Sequence, residues 1–182
     1  MAQDELHMHY VCTHTEAENL IKTNDRFWVS NCGCREGKGN CARSRIDVCM
    51  IFKGDAGASG SGLKEITLAG AGAIMIEAKT KNLVTRPFRN MKNKSETEGI
   101  CFCCDDCCGY FLNEDEVCDK GRFIESTDKD NCTLCGDCLE VCHFKARDIT
   151  DSEMLVNRDN CYGCGLCAKV CPEKCVEMVA RG

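Results

Sequence analysis

Cys132-Thr-Leu-Cys135-Gly-Asp-Cys138-Leu-Glu-Val-Cys142 returns 29 residues later as Cys161-Tyr-Gly-Cys164-Gly-Leu-Cys167-Ala-Lys-Val-Cys171. Gly136/Gly165, Val141/Val170 and Lys145/Lys174 also correspond, and Asp-Asn precedes the first cysteine of each copy. The repeat predicts one supersecondary unit used twice: a short strand, a cysteine loop, a short helix and a returning strand. Ile124 and Leu155-Val156 read as the entering strands, and Leu139 to Lys145 and Ala168 to Lys174 as the helices. Ile149 and Val176 to Met178 read as the returning strands.

Each copy is a C-x₂-C-x₂-C-x₃-C run. Three cysteines in a tight loop reach three corners of a [4Fe–4S] cube, while the fourth, on the following helix, points at the other cube. One cluster then takes Cys132, Cys135, Cys138 and Cys171, and the other takes Cys161, Cys164, Cys167 and Cys142. The glycines after Cys135 and Cys164 allow close turns and leave backbone N–H groups free to face sulfur. Zinc fits this pattern less well, because tetrahedral zinc sites use paired C-x₂₋₄-C knuckles rather than two complete four-cysteine runs.

Residues 121–182 resemble a bacterial-type two-[4Fe–4S] ferredoxin domain. The resemblance implies a pseudo-twofold β-α-β fold and transfer of single electrons at low potential. Pro172 follows Cys171 as the family pattern expects, but His143 follows Cys142 where a proline would stand. A solvent-side substitute is the expectation for His143, with tuning of the neighbouring cluster as the sharper reading. Cys175, at a position where a small apolar residue usually packs, is expected to be a buried structural thiol.

The first 120 residues have a different texture and are expected to form a small Cys-rich α/β domain stabilised by metal clusters. The whole chain is then α+β, with domains at 1–120 and 121–182. Thr13-x-x-Glu16 and Thr15-x-x-Glu18 are overlapping capping boxes ahead of a short helix carrying Ala17, Leu20 and Ile21. Phe27-Trp28-Val29 reads as a strand leading into Cys32-Gly-Cys34. Gly54 to Gly62 is expected to be a mobile loop without the order of a phosphate-binding motif. A helix from Leu63 to about Lys79 and a strand Leu83 to Thr85, stopped at Pro87, follow. The Lys79–Lys94 stretch is basic without an intervening acid, and reads as a solvated face or a docking strip for acids, including the chain's own.

Cys32, Cys34, Cys41 and Cys49 form one upstream set; Cys101, Cys103, Cys104, Cys107 and Cys108 form the other. Adjacent cysteines project in different directions, so Cys103/Cys104 and Cys107/Cys108 are expected to divide between two centres or to support a bridged cluster. One or two further iron–sulfur clusters are the first expectation for these nine thiols, with structural zinc and free redox thiols as alternatives. Asp105 and Asp106 read as solvated acids beside a cluster loop. His7, His9, Cys12 and His14 crowd the N-terminus without a defined metal spacing, so a lightly packed terminus is expected. The layout as a whole resembles Cys-rich 4Fe–4S dicluster-domain, ferredoxin-like proteins of anaerobes. Cys107-Cys108-Gly109 is similar to the CCG motif of heterodisulfide-reductase-type subunits, but the wider spacing does not match.

Composition agrees with a chain built around inorganic centres. It has 20 cysteines among 182 residues but only seven Phe, three Tyr and one Trp, so metal would carry much of the folding free energy. Residues 1–100 hold 14 basic and 12 acidic side chains (+2), whereas residues 101–182 hold 9 and 17 (−8). A nucleic-acid binder needs a basic stripe, and the chain as a whole carries −6. The longest apolar run, Leu68 to Ile76, is too short to span a bilayer, and no secretory leader is read at the start. A cytoplasmic setting is expected. No nucleotide, flavin or phosphate fingerprint is present, so the leading expectation is an electron carrier or electron-transfer subunit serving a redox partner. An iron–sulfur reductase with an unusual N-terminal cluster, acting for example on disulfides, and a redox-sensing or cluster-handling protein are the alternatives.

Overall fold

Residues 6–54, 60–113 and 116–182 are described in the computed structural model. Helix α1 (His14–Lys22) starts where the sequence predicts it. The Thr13 hydroxyl accepts from the Glu16 backbone N–H at 3.2 Å, and the Glu16 carboxylate accepts from the Thr13 N–H at 2.9 Å, closing the capping box. Ala17 and Ile21 of α1 pack on α3 (Leu68–Thr80) through Ala71, Ile74, Met75 and Ala78. Both helices cover a sheet of five strands: β1 (Phe27–Ser30), β2 (Cys49–Ile51), β3 (Lys64–Ile66), β4 (Val84–Arg89) and β5 (Thr97–Cys103). A short helix α2 (Gly33–Lys38) lies between β1 and β2.

The strand order is β3-β1-β2-β5-β4, and every pairing is antiparallel. The anticipated helix from Leu63 therefore begins five residues late, at Leu68, because Lys64 to Ile66 pair with β1 instead. Thr67 caps α3 by accepting from the Gly70 N–H at 3.1 Å. The loop expected over Gly54 to Gly62 falls largely outside the described residues.

Strand β4 does not stop at Pro87. The Tyr10 N–H donates to the Pro87 carbonyl at 3.1 Å, away from β5. A strand residue's N–H and C=O point the same way, so the missing proline donor faces outward and no β5 ladder bond is lost. The expected loose terminus is instead docked on this edge. His9 and Cys12 bridge to Phe88 and Thr85, and Val11 and Cys12 are buried.

Downstream, β6 (Phe123–Thr127) pairs with β9 (Val176–Ala180), and β7 (Arg147–Thr150) pairs with β8 (Glu153–Val156). The intervening helices α5 (Asp137–Glu140) and α6 (Leu166–Val170) start two residues earlier than predicted and are shorter. Gly136 and Gly165 at their N-caps adopt φ of +88° and +76°, which lets each chain turn straight from cysteine loop into helix. The architecture is α+β, with an antiparallel N-terminal sheet followed by two two-stranded sheets.

One hydrophobic cluster draws on both ends of the chain. Val11, Val84, Cys103 and Cys108 pack with Val141 and Leu166. Tyr110 and Phe111 of α4 (Gly109–Leu112) meet Phe144 and Tyr162, whose rings stack at 4.5 Å.

Candidate functional site: two thiol cavities and three thiol contact groups

The cysteine repeat folds around two small pockets. Cys132, Cys135, Cys138 and Cys171 line one, together with Cys175, Met154 and Val176. Cys142, Cys161, Cys164 and Cys167 line the other, with Val141, Phe144, Leu166 and Met178. Each cavity thus gathers three cysteines of one copy and the fourth of the other copy. The donors fit a cubane, since four thiols surround each space and apolar side chains close it. Backbone N–H groups reach sulfur as well: Ala146 N–H donates to Cys142 Sγ at 3.3 Å. Burial pushes the Cys167 thiol up to about 12, and an iron core would stabilise the thiolate there.

The two cavities share Arg147, which borders both. Its Nη1 donates to Glu125 Oε2 and its Nη2 to Thr127 Oγ1, each at 2.9 Å, with both charged side chains almost fully buried. Its Nε has no hydrogen-bond partner. Burial opposes the charge, and the Cys167 and Cys138 sulfurs favour it. No motif in the sequence marked Arg147. Its only trace is a cation at the head of the returning strand of the first copy.

Cys175 is buried, as expected, and lies 3.5 Å from Cys171. His143 is not on the solvent side. It is 4% exposed, its Nε2 lies 3.0 Å from the Asn82 carbonyl and its Nδ1 lies 3.2 Å from Asp105 Oδ1. It ties the repeat to the N-terminal part, a role that needs partners distant in sequence.

The nine upstream thiols regroup across the two sequence sets. Cys41, Cys104 and Cys107 form a triangle with sulfurs 3.5–3.6 Å apart. Cys34 touches Cys32 and Cys108, and Cys108 touches Cys103. Cys49 contacts Cys101, whose sulfur is 4.0 Å from His9 Nε2. The adjacent pairs divide as their geometry requires: Cys104 and Cys107 turn to one group, Cys103 and Cys108 to the other. Contact with Cys108 and Cys32 pushes the Cys34 thiol down to about 2. Cys12 and Cys118 are also buried, and burial pushes each up to about 12.

Two buried arginines that the sequence reading missed attend these groups. Arg35 is 1% exposed, donates to the Phe102 carbonyl at 2.9 Å and places Nη2 3.9 Å from Cys104 Sγ. Arg86 is 4% exposed, sits 4.9 Å over the Tyr110 ring, and has no hydrogen-bond partner at Nε or Nη1. Its charge is opposed by burial and favoured first by Cys103 and Cys108. The basic stretch read as a solvated face is therefore divided. Arg86 points into the thiols, Arg89 pairs with Asp119 at 2.6 Å, and Lys79 pairs with Glu18. Asp105 and Asp106 also serve as tethers: Asp105 pairs with Arg43 at 2.6 Å and Asp106 with Lys38 at 2.9 Å.

Residues 131–175 match the family model of a 4Fe-4S dicluster domain. No curated protein matches the chain. The matched stretch is an iron–sulfur, ferredoxin-like domain that binds 4Fe-4S clusters and supports iron–sulfur electron transfer. Among the described residues, no helix is long and apolar enough to cross a membrane.

Proposed function

We propose that the protein is a low-potential electron carrier, or an electron-transfer subunit feeding a catalytic oxidoreductase, with its redox-active part in residues 121–182 and a Cys-rich domain in residues 1–120. The observation that carries this reading is the pair of four-cysteine cavities sharing one wall. Cys132, Cys135, Cys138 and Cys171 would hold one [4Fe–4S] cluster and Cys142, Cys161, Cys164 and Cys167 the other, supplying one-electron exchange. The resemblance to bacterial-type ferredoxins and to proteins of anaerobes supports an oxygen-poor cytoplasmic setting.

The chain's own residues divide the work. Val141, Phe144, Leu166 and Met178 exclude water from the second cavity. Arg147 balances thiolate charge between the two sites. Cys135 is exposed, which makes the first cavity the contact point for a partner protein. Exposed Asp128, Asp130, Asp137 and Glu140 lie in the same stretch, so the matching partner face is basic.

Replacing Cys164 with serine removes one thiolate from the second cavity only. Reduced wild-type protein is expected to give the coupled paramagnetic signal of two neighbouring clusters, and Cys164→Ser the signal of a single isolated one, with electron delivery largely lost. A variant that keeps both signals refutes the ligand set.

A further inference from the structure

Among the described residues, one N-terminal group of three thiols is packed closely enough for a single ion. Cys41, Cys104 and Cys107 stand 3.5–3.6 Å apart, all three pairs in contact. A tetrahedral ion with metal–sulfur bonds of about 2.3 Å holds its sulfurs about 3.8 Å apart. A cubane instead places each thiolate on a different iron, with the inorganic core between them. The eight cysteines of the repeat form no such close group of three among the described residues. The triangle thus has room for one ion seated just out of its plane and no room for a cube.

Charge points the same way. Arg35 is buried beside the triangle, its Nε has no hydrogen-bond partner, and no carboxylate pairs with it among the described hydrogen bonds and salt bridges. Burying a guanidinium without an anion is costly. Three thiolates and a divalent ion sum to −1, which Arg35 neutralises. The ion would join segments far apart in the chain, the Cys41 loop and the turn after β5. Besides these sulfurs, the joint is held by Arg35, which donates to the Arg45 and Phe102 carbonyls, and by surface contacts such as Lys38 with Asp106 and the Ala42 N–H donating to Asp106 at 3.1 Å.

We propose that Cys41, Cys104 and Cys107 hold a single divalent ion of the zinc type, with water in the fourth position. Zinc is favoured over harder divalent ions because the site offers three thiolates, which suit a four-coordinate ion better than a six-coordinate one. Of the expectations raised by the sequence for the N-terminal half, this selects structural zinc at these three residues over a further cluster. The assignment stands independently of the reading of residues 121–182.

Metal and sulfide analysis of the anaerobically purified full chain tests it, together with X-ray absorption at the zinc edge. The wild-type protein is expected to contain zinc with a sulfur shell at about 2.3 Å and no short metal–metal distance. Cys104→Ser is expected to lose one zinc per chain while iron and sulfide stay unchanged, and Cys104→His to recover it. Wild-type protein without thiolate-bound zinc overturns the proposal, whatever its iron content. So does loss of iron and sulfide, with zinc unchanged, in Cys104→Ser. Loss of iron from Cys164→Ser alone bears only on the electron-transfer reading.

Discussion

The guanidinium of Arg147 borders both cavities, so with the two clusters proposed above its charge would act on both at once. Removing a cation makes it harder to add an electron to an already negative cluster. Arg147→Met is therefore expected to lower the midpoint potentials of both clusters in a redox titration, and Arg147→Lys to shift them less. A shift confined to one cluster would contradict the shared placement. The methionine variant also leaves Glu125, 3% exposed in its side chain, without its buried partner, at a cost of about 3 kcal/mol. At this scale the sequence was legible where chemistry is local. The repeat named the eight thiols that the two cavities collect, and adjacency alone required Cys103 and Cys104 to part. Arg35, Arg86 and Arg147 were not legible, because a cation's burial depends on which sulfurs the fold brings to it.

Strand β5 shows how an element is held by its neighbours. A Cβ on Gly99 would stand 2.2 Å from the Met50 carbonyl oxygen and 2.4 Å from the Phe88 ring. Backbone cannot retreat as a flexible side chain can, so Gly99→Ala is expected to destabilise the sheet by about 3 kcal/mol in denaturant unfolding. Helix α3 is tethered at its C-terminal end by Glu77, which accepts from Ser44 Oγ at 3.0 Å and pairs with Arg45 and Lys81, both at 2.8 Å. Burial works against the Glu77 charge, but Lys81, Arg45 and Ser44 outweigh it and hold the carboxyl down at about 2. A depressed carboxylate contributes stability above its unfolded value, near 4.3, and loses it as pH falls toward the folded value. Glu77→Gln should therefore cost about 1 kcal/mol at pH 7, discounted for solvent screening of its partly exposed partners. The difference from wild type should shrink between about pH 4.3 and pH 2; a cost that stays constant across that range would argue against the ionic tether.

Across the whole molecule, the aromatic layer of Tyr110, Phe111, Phe144 and Tyr162 joins the N-terminal sheet to the second cavity. Phe144 lines that cavity and stacks on Tyr162. Phe144→Ala should cost about 3 kcal/mol and raise hydrogen exchange in β4 as well as in β6. Increased exchange in residues 121–182 alone would mean that the two parts fold independently. Charge is also distributed at this scale, with −8 in residues 101–182 and +2 before them. Electron transfer from the reduced protein to a cationic acceptor should slow steeply as salt rises, and transfer to an anionic acceptor should not.

What could be read along the chain was whatever a short span of backbone enforces. The C-x₂-C-x₂-C-x₃-C spacing limits where four sulfurs reach, Thr13 and Glu16 cap a helix three residues apart, and the aromatic and β-branched run Phe27 to Val29 marks a strand. Folding had to decide which distant sulfurs meet. Cys41 belongs with Cys104 and Cys107 rather than with Cys49 because of the turn that follows β5 and the path of the Cys41 loop. His143 became an internal tie for the same reason, since Asn82 and Asp105 reach it only once the two parts of the chain share a core. Local geometry is encoded residue by residue, whereas the pairing of buried charges and thiols is settled by packing between segments that have no sequence relation to one another.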